Sequence, residues 1–282
     1  MPLQLLDYNR PEKPDWCPAC GNFGIINALK MALVELKISP HQVLVVSGIG
    51  CSSKLPHWLN TYGFHTLHGR PLPVATGAKL ANHKLTVIAV GGDGDGYGLG
   101  MGHFMHSLRR NLDLVYLVHN NQIYGLTKGQ TSPTSPTGFI SSSTPDGVIE
   151  VPFNPIAAAL SCAGTFIARG FSDNIQHLKE LIKKAIIHKG FGFIDVLQPC
   201  VTFNKQNNRV WYKERIYELK EVPTSRVQAI EIALQTDKLG IGLFWQEQKS
   251  TYEGNLPQIK DMALVEQDIK RIDLRMALNN LV

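Results

Sequence analysis

Apolar positions along the chain change period several times, and the changes mark the elements. Residues 23–36, FGIINALKMALVEL, repeat apolar side chains at helical spacing with no glycine after Gly24, which predicts a helix. VLVVSGIG (43–50) is a short apolar run closed by a glycine turn, the pattern of a buried strand. ATGAKLANH (75–83) reads as a helix of small residues lying close on a sheet. LTVIAVGGDGDG (85–96) gives a second strand with a glycine-rich exit, residues 98–110 a helix, and LDLVYLVHNN (112–121) a third strand. A Pro/Ser/Thr loop follows over 130–147. Beyond it come helix NPIAAALSCAG (154–164), strand TFIARG (165–170), a helix from about Asn174 to His188, and strand GFIDVLQPC (192–200). Ser172 and Asp173 are candidate caps for the helix at 174, and Gly190 a candidate stop.

Strands of four to seven apolar residues alternating with helices predict an α/β fold, a parallel sheet covered by helices on both faces. In such sheets ligands bind where the carboxyl ends of the strands open into loops. GIGCSS, GGDGDG, NNQIYGLT and QPC each follow an expected strand. Residues 201–282 are more charged and less regular, with one helix (TSRVQAIEIALQT) and one strand (IGLFWQE). The expected division is a domain over 1–203 and an irregular C-terminal arm or lid over 204–282. No internal repeat is evident.

Composition narrows the class. The 282 residues suit one large domain or a domain with an appendage, and 44% hydrophobic content is ample for a core. No apolar run reaches the 18 residues of a membrane span, and MPLQLLDYNRPEK lacks a basic segment followed by an apolar one. A cytoplasmic chain without membrane contact is expected. The net charge of +5 comes with scattered lysines, which indicates a solvated surface rather than a nucleic-acid face. It suits a small acidic partner or an anionic substrate. Cysteines stand at 17, 20, 51, 162 and 200. In a reducing compartment, metal or cluster ligation explains them better than disulfides.

Two constellations carry chemistry. GDGDGYGLG lacks the lysine of a Walker loop, and alone would be a tight strand-to-helix turn. Asp93, however, lies 28 residues before Asn121, which ends the next strand, so neighbouring parallel strands bring the two together. A carboxylate, an amide oxygen and the main-chain carbonyl of Ile123 form a hard-oxygen set suited to Mg²⁺ with diphosphate oxygens. Glycines let main-chain N–H groups approach those phosphates. Asp95, the second carboxylate of the turn, is expected to bond the cofactor or the loop rather than the metal. In the second constellation Cys17, Cys20, Cys51 and Cys200 converge on one sheet edge, where sulfur coordination suits zinc or an iron–sulfur cluster. Cys162 sits in an apolar helix and reads as a core residue. His103 and His106, one turn apart with no third ligand, read as packing and polar contacts.

CPACGNFGI, GIGCSS, HGR, PVATGAKLA, GDGDGYGLGMGHFMHSLRRN and NNQIYGLTKGQTSPTSP, in this order, resemble the β subunits of 2-oxoacid:ferredoxin oxidoreductases from about residue 14 to 203. The resemblance implies a thiamine diphosphate-binding fold with Mg²⁺ on Asp93, Asn121 and Ile123. It implies a [4Fe–4S] cluster on Cys17, Cys20, Cys51 and Cys200. Cofactor contacts are expected from Ile49, Gly50, Cys51, Ser52, His68, Gly92, Gly94, Asp95, Asn121, Gly125, Leu126 and Thr127, with Arg70 beside His68 a further candidate. The implied reaction is the coenzyme A-dependent oxidative decarboxylation of a 2-oxoacid to an acyl-CoA and CO₂, with electrons passed to ferredoxin. Lys54 and Lys128 are candidates for the substrate carboxylate, and two cations would favour 2-oxoglutarate or a broad range including pyruvate. The glutamate that thiamine activation requires belongs, in that family, to an α subunit, which implies an αβ heterodimer, perhaps doubled. A thiamine-dependent carboligase or decarboxylase would share Asp93 and Asn121, but would not need four cysteines. A zinc-stabilised nucleotide-binding module would share the cysteines and leave the Asp-to-Asn spacing unexplained.

Overall fold

The computed structural model describes residues 2–268, 270 and 274–279. Its elements run in chain order as α1 (Asn22–Glu35), β1 (Val43–Ser47), α2 (Leu55–Trp58), β2 (Tyr62–His65), α3 (Pro71–Ala81) and β3 (Thr86–Gly92). A single π-type turn (Gly94–Leu99) then leads into α4 (Met101–Arg110), followed by β4 (Leu114–Asn120), β5 (Ile123–Tyr124) and β6 (Gln130–Thr131). The second half holds α5 (Pro155–Ser161), β7 (Phe166–Phe171), α6 (Ile175–Ile187), β8 (Phe191–Leu197), α7 (Arg209–Arg215), β9 (Ile216–Glu218), α8 (Arg226–Ala233), β10 (Leu239–Gln246) and α9 (Arg275–Asn279).

Eight strands form one sheet in the order β2-β1-β3-β4-β8-β7-β10-β9. Alternation along each strand decides what lies on each face. Val43, Val45, Ile88, Val90, Val115, Leu117, Ile194 and Val196 pack with α1 and α6. Leu44, Val46, Val87, Ala89, Tyr116, Val118, Phe191 and Phe193 pack with α3, α4, α5 and α8 on the other side. β1 to β4, β7 and β8 are parallel, as the apolar runs predict, but β10 lies antiparallel to β7.

Boundaries moved where local chemistry outweighs apolar spacing. α3 begins at Pro71, ahead of the small-residue run, because proline at the first helical position loses no hydrogen bond. The helix expected from 98 is preceded by the π-type turn, and α4 proper starts at Met101. Neither Ser172 nor Asp173 caps α6: the Asn174 side chain accepts from His177 N, while Asp173 pairs with Arg209. Gly190 does follow the helix, at φ +137°.

The segment beyond 203 falls into two stretches. Residues 216–246 supply β9, α8 and β10 to the sheet and its flank. Residues 249–266 run past the amino ends of the strands. There Asn111 Nδ2 donates to Ser250 O (3.1 Å), Asp113 N donates to Glu253 Oε1 (3.1 Å), and Lys84 pairs with Glu266 at 2.6 Å. This is the opposite end of the sheet from the motif-bearing loops. Residues 269, 271–273 and 280–282 of the expected arm lie outside the described residues.

Candidate functional site

β1, β3, β4 and β8 are consecutive parallel neighbours, so the loops leaving their carboxyl ends stand side by side. GIGCSS, the GDGDG turn, NNQIYGLT and QPC are those four loops, and they enclose two adjoining cavities.

The first cavity is lined by Ile49, Gly50, Cys51, Ser52, His68, Gly92, Asp93, Gly94, Asp95, Asn121, Ile123, Tyr124, Gly125, Leu126 and Thr127. Every expected cofactor or Mg²⁺ residue except Arg70 is among them. Asp93 is 1% exposed, and its Oδ2 accepts from Ser132 Oγ (2.5 Å) and Thr134 Oγ1 (2.6 Å). Burial pushes this carboxyl up to about 6, against the opposing pull of the two hydroxyls. A buried carboxylate at a cavity wall is strongly favoured by a cation placed against it. Asn121 Oδ1 accepts from Ile123 N (3.0 Å), which folds the amide and the Ile123 main chain into one tight turn. The donor set, carboxylate with amide and main-chain oxygens, fits Mg²⁺.

Asp95, expected to bond the cofactor or the loop, accepts from the loops here. Its Oδ1 accepts from Ile49 N (3.0 Å) and Gly69 N (2.7 Å), tying three loops together, and His68 Nδ1 stands 3.6 Å away. Gly94 is fixed by a close approach: a Cβ there would meet the Tyr124 ring at 2.3 Å, and Tyr124 Oη donates to Gly94 O at 2.8 Å. Ser132, Thr134 and Tyr124 are contributors that sequence reasoning missed. They lie inside the NNQIYGLTKGQTSPTSP run, whose density of hydroxyls was the available signal.

The second cavity carries Cys17, Cys20, Cys51 and Cys200 on its walls. It shares Cys51, Asn121, Gly125 and Leu126 with the first. A Cβ on Gly125 would lie 3.6 Å from Cys51 Sγ and 3.8 Å from Cys200 Sγ, so both sulfurs approach the same point of the β4 loop. The CxxC turn is held by Cys20 N donating to Cys17 O (3.0 Å), with Ala19 between them at φ +62°. Arg209 Nη2 donates to Ala19 O (2.7 Å) while its guanidinium pairs with Asp173 at 2.6 Å. Trp16 Nε1 donates to Cys51 O (2.7 Å), joining the first and second cysteine segments. Burial raises the Cys20 thiol, and burial with the neighbouring Cys20 and Cys200 raises Cys51 to about 11. Thiolates crowded in this way need positive charge among them to stay ionised. Among the described residues, no three His, Cys, Asp or Glu side chains gather closely enough for a single ion. The four cysteines line one cavity instead, and sulfur ligation there suits zinc or an iron–sulfur cluster.

The remaining candidates separate. Lys54 lines the cysteine cavity and pairs with Asp15 at 2.7 Å. Lys128 is exposed, at φ +74°, and lines neither cavity. Thr127 Oγ1 donates to Gln130 Oε1 (2.5 Å) at the mouth of the first cavity. Arg70 Nη1 reaches Leu99 O at 3.5 Å and does not line the cavity. His103 is held below its usual range by partial burial and by the neighbouring Arg70, His106 and Arg110. Cys162 Sγ lies 3.5 Å from Met105 Sδ at the margin of the core, in keeping with a packing role. No glutamate lines either cavity among the described residues.

Residues 42–196 match the family described as "Thiamine pyrophosphate enzyme, C-terminal TPP binding domain", and residues 200–261 match the family of the C-terminal region of the pyruvate ferredoxin oxidoreductase beta subunit. The 2-oxoacid:ferredoxin oxidoreductase subunit beta of a Sulfolobus species is 48% identical, the match covering 93% of this chain and 92% of that one. The 2-oxoglutarate oxidoreductase subunit KorB of Mycobacterium tuberculosis is 43% identical over 72% of this chain and 54% of its own. A solved structure of the 2-oxoglutarate:ferredoxin oxidoreductase of Magnetococcus marinus, with 2-oxoglutarate, coenzyme A and succinyl-CoA bound, superposes with a TM-score of 0.92. It is 35% identical, and the match covers 99% of this chain and 96% of that one.

Proposed function

The chain belongs to the β subunits of 2-oxoacid:ferredoxin oxidoreductases, and from that premise we propose that its two cavities hold thiamine diphosphate with Mg²⁺ and a [4Fe–4S] cluster. The observation that carries this reading is the shared wall. Cys51, Asn121, Gly125 and Leu126 face both spaces, so a group bound in one lies directly beside a group bound in the other. When bound, thiamine diphosphate supplies an electron sink for decarboxylation, and an iron–sulfur cluster accepts electrons singly.

The chain's own residues supply the rest. Asp93, Asn121 and the Ile123 carbonyl hold the cation, while Ser132 and Thr134 orient Asp93 from behind. Ile49, Gly50, Ser52, Gly92, Gly94, Leu126 and Thr127 shape the pocket, with His68 and Tyr124 packed as a pair of tilted rings 5.9 Å apart. Cys17, Cys20, Cys51 and Cys200 hold the cluster. Lys54, steadied by Asp15, places a cation near the shared wall for the substrate carboxylate, and Lys128 adds one at the rim. The carboxylic acid needed to activate thiamine comes from the α partner, in a heterodimer or its doubled form, and the complex acts in the cytoplasm with coenzyme A and ferredoxin. Arg209, from the segment beyond 203, braces the CxxC turn.

We assign 2-oxoglutarate within a broad 2-oxoacid range that includes pyruvate. The bound 2-oxoglutarate of the Magnetococcus enzyme and the KorB relatives support this choice. Lys128→Ala should raise KM more for 2-oxoglutarate than for pyruvate; equal effects on both would remove Lys128 from substrate choice. The cofactor reading is tested on the anaerobic αβ complex by iron, acid-labile sulfide and thiamine diphosphate assays with an absorption spectrum. About four irons per β chain with a broad band near 400 nm are expected. A colourless complex containing zinc would end the electron-transfer reading.

A further inference from the structure

Gln198 is the first residue beyond β8 and is 1% exposed in the wall of the cysteine cavity. Its main chain is fixed, with N donating to Asn120 O at 2.9 Å, and Cys200 follows two residues later. The side chain places Nε2 3.4 Å from Cys20 Sγ. Its Oε1 is buried without a hydrogen-bond partner. The conformation depends on Gly21, the residue after the CxxC pair. A Cβ there would stand 2.5 Å from Gln198 Cγ and 2.7 Å from Ser172 Oγ. The glycine of CPACG and the glutamine of QPC are therefore one packing unit, although they lie 177 positions apart in the chain.

We infer that Gln198 is a positioning residue that raises the reduction potential of the cluster through an N–H···S hydrogen bond to Cys20. The inference rests on the reading that the four cysteines hold a [4Fe–4S] cluster. A thiolate ligand accepts hydrogen bonds and donates none, so it selects the amide edge that carries the N–H groups. Reduction adds one negative charge to the cluster and its ligands. A donor aimed at a ligand sulfur stabilises the more negative state more, and hydrogen bonds to the sulfurs are among the levers that set such potentials. Burial strengthens the effect, because little water is present to screen or replace the donor. The amide does not titrate, so its contribution is the same across neutral pH.

The test is an EPR-monitored redox titration of the anaerobic αβ complex, comparing wild type with Gln198→Met, which keeps the length and volume and removes the donor. The expected midpoint is lower, by about a tenfold change in the one-electron equilibrium constant, or 59 mV, with iron content unchanged. A variant with wild-type iron and an unchanged midpoint would overturn the role of Gln198 and leave the cluster standing. A wild-type complex without iron or sulfide would overturn the cluster itself. Should Gln198→Met fail to assemble, the wild-type complex labelled with ¹⁵N in its glutamine side-chain amides decides the matter. Pulsed EPR of the reduced cluster should then show a weak ¹⁵N coupling, since Gln198 is the one glutamine lining this cavity among the described residues. Absence of the coupling would overturn the proposal.

Discussion

Thr134 shows how much of the site rests on side chains that never face the cavity. Its hydroxyl donates to Asp93 Oδ2 at 2.6 Å and stands 3.0 Å from Asn120 Oδ1, so a single proton sits between a proposed metal ligand and the end of β4. Outer partners of a metal ligand typically contribute 10–100-fold to affinity. Thr134→Val, which keeps the shape and removes the hydroxyl, should weaken Mg²⁺-dependent thiamine diphosphate binding by about 10–100-fold. Titration calorimetry of the αβ complex measures this directly, and an affinity within twofold of wild type would show that Ser132 alone suffices to hold Asp93. Spacing made Asp93, Asn121 and Ile123 legible in the sequence, because the separation of neighbouring strands fixes which residues meet. Ser132 and Thr134 were not legible. They reach Asp93 through an irregular loop whose path no periodicity encodes.

At the scale of elements, the buried parallel strands and the longer helices were legible because their apolar runs are long and continuous. β2 was missed: Tyr62–His65 is exposed along its whole length, and four residues with two aromatics, Tyr62 and Phe64, are too short a run to set a pattern. β10 was found, but its direction was not. A strand's sequence does not state its polarity, and here the partner contacts decide it. Arg169 on β7 is buried against Asp195 on β8 at 3.7 Å, reaches Gly240 O at 3.5 Å, and lies over the Phe244 ring at 5.3 Å. Asp195 in turn accepts from Tyr97 Oη (2.9 Å) and Asn120 Nδ2 (3.0 Å), so the pair belongs to a polar seam through the sheet. Removing one partner of a buried pair leaves an uncompensated charge and typically costs about 3–5 kcal/mol. Arg169→Met should lose about that much in urea denaturation. Arg169→Met combined with Asp195→Leu should recover part of it, and no recovery would mean that packing at β10, rather than charge, is what the arginine supplies.

The whole molecule is polarised along its strands. Chemistry gathers at the carboxyl ends, where four loops build two cavities, and residues 249–266 fasten the amino ends, where Asn111 receives Thr165 Oγ1 (2.6 Å) and Phe191 N (3.0 Å) and donates to Ser250 O. This division predicts separable phenotypes. Asn111→Ala should lower the melting temperature while leaving iron content per folded chain and the KM for 2-oxoacid near wild type. A parallel loss of iron would show that the two ends are coupled through the sheet.

β2 has a further consequence for anyone handling the isolated chain. One side of this strand pairs with β1, the other ends the sheet, and Tyr62 and Phe64 stand 59% and 55% exposed on it, with Leu67 just beyond. An unpaired edge bearing large apolar side chains is a template for association with another chain. Left uncovered, this edge is expected to draw the isolated chain into self-association as its concentration rises. Solubility, more than activity, is then the property most exposed to this strand.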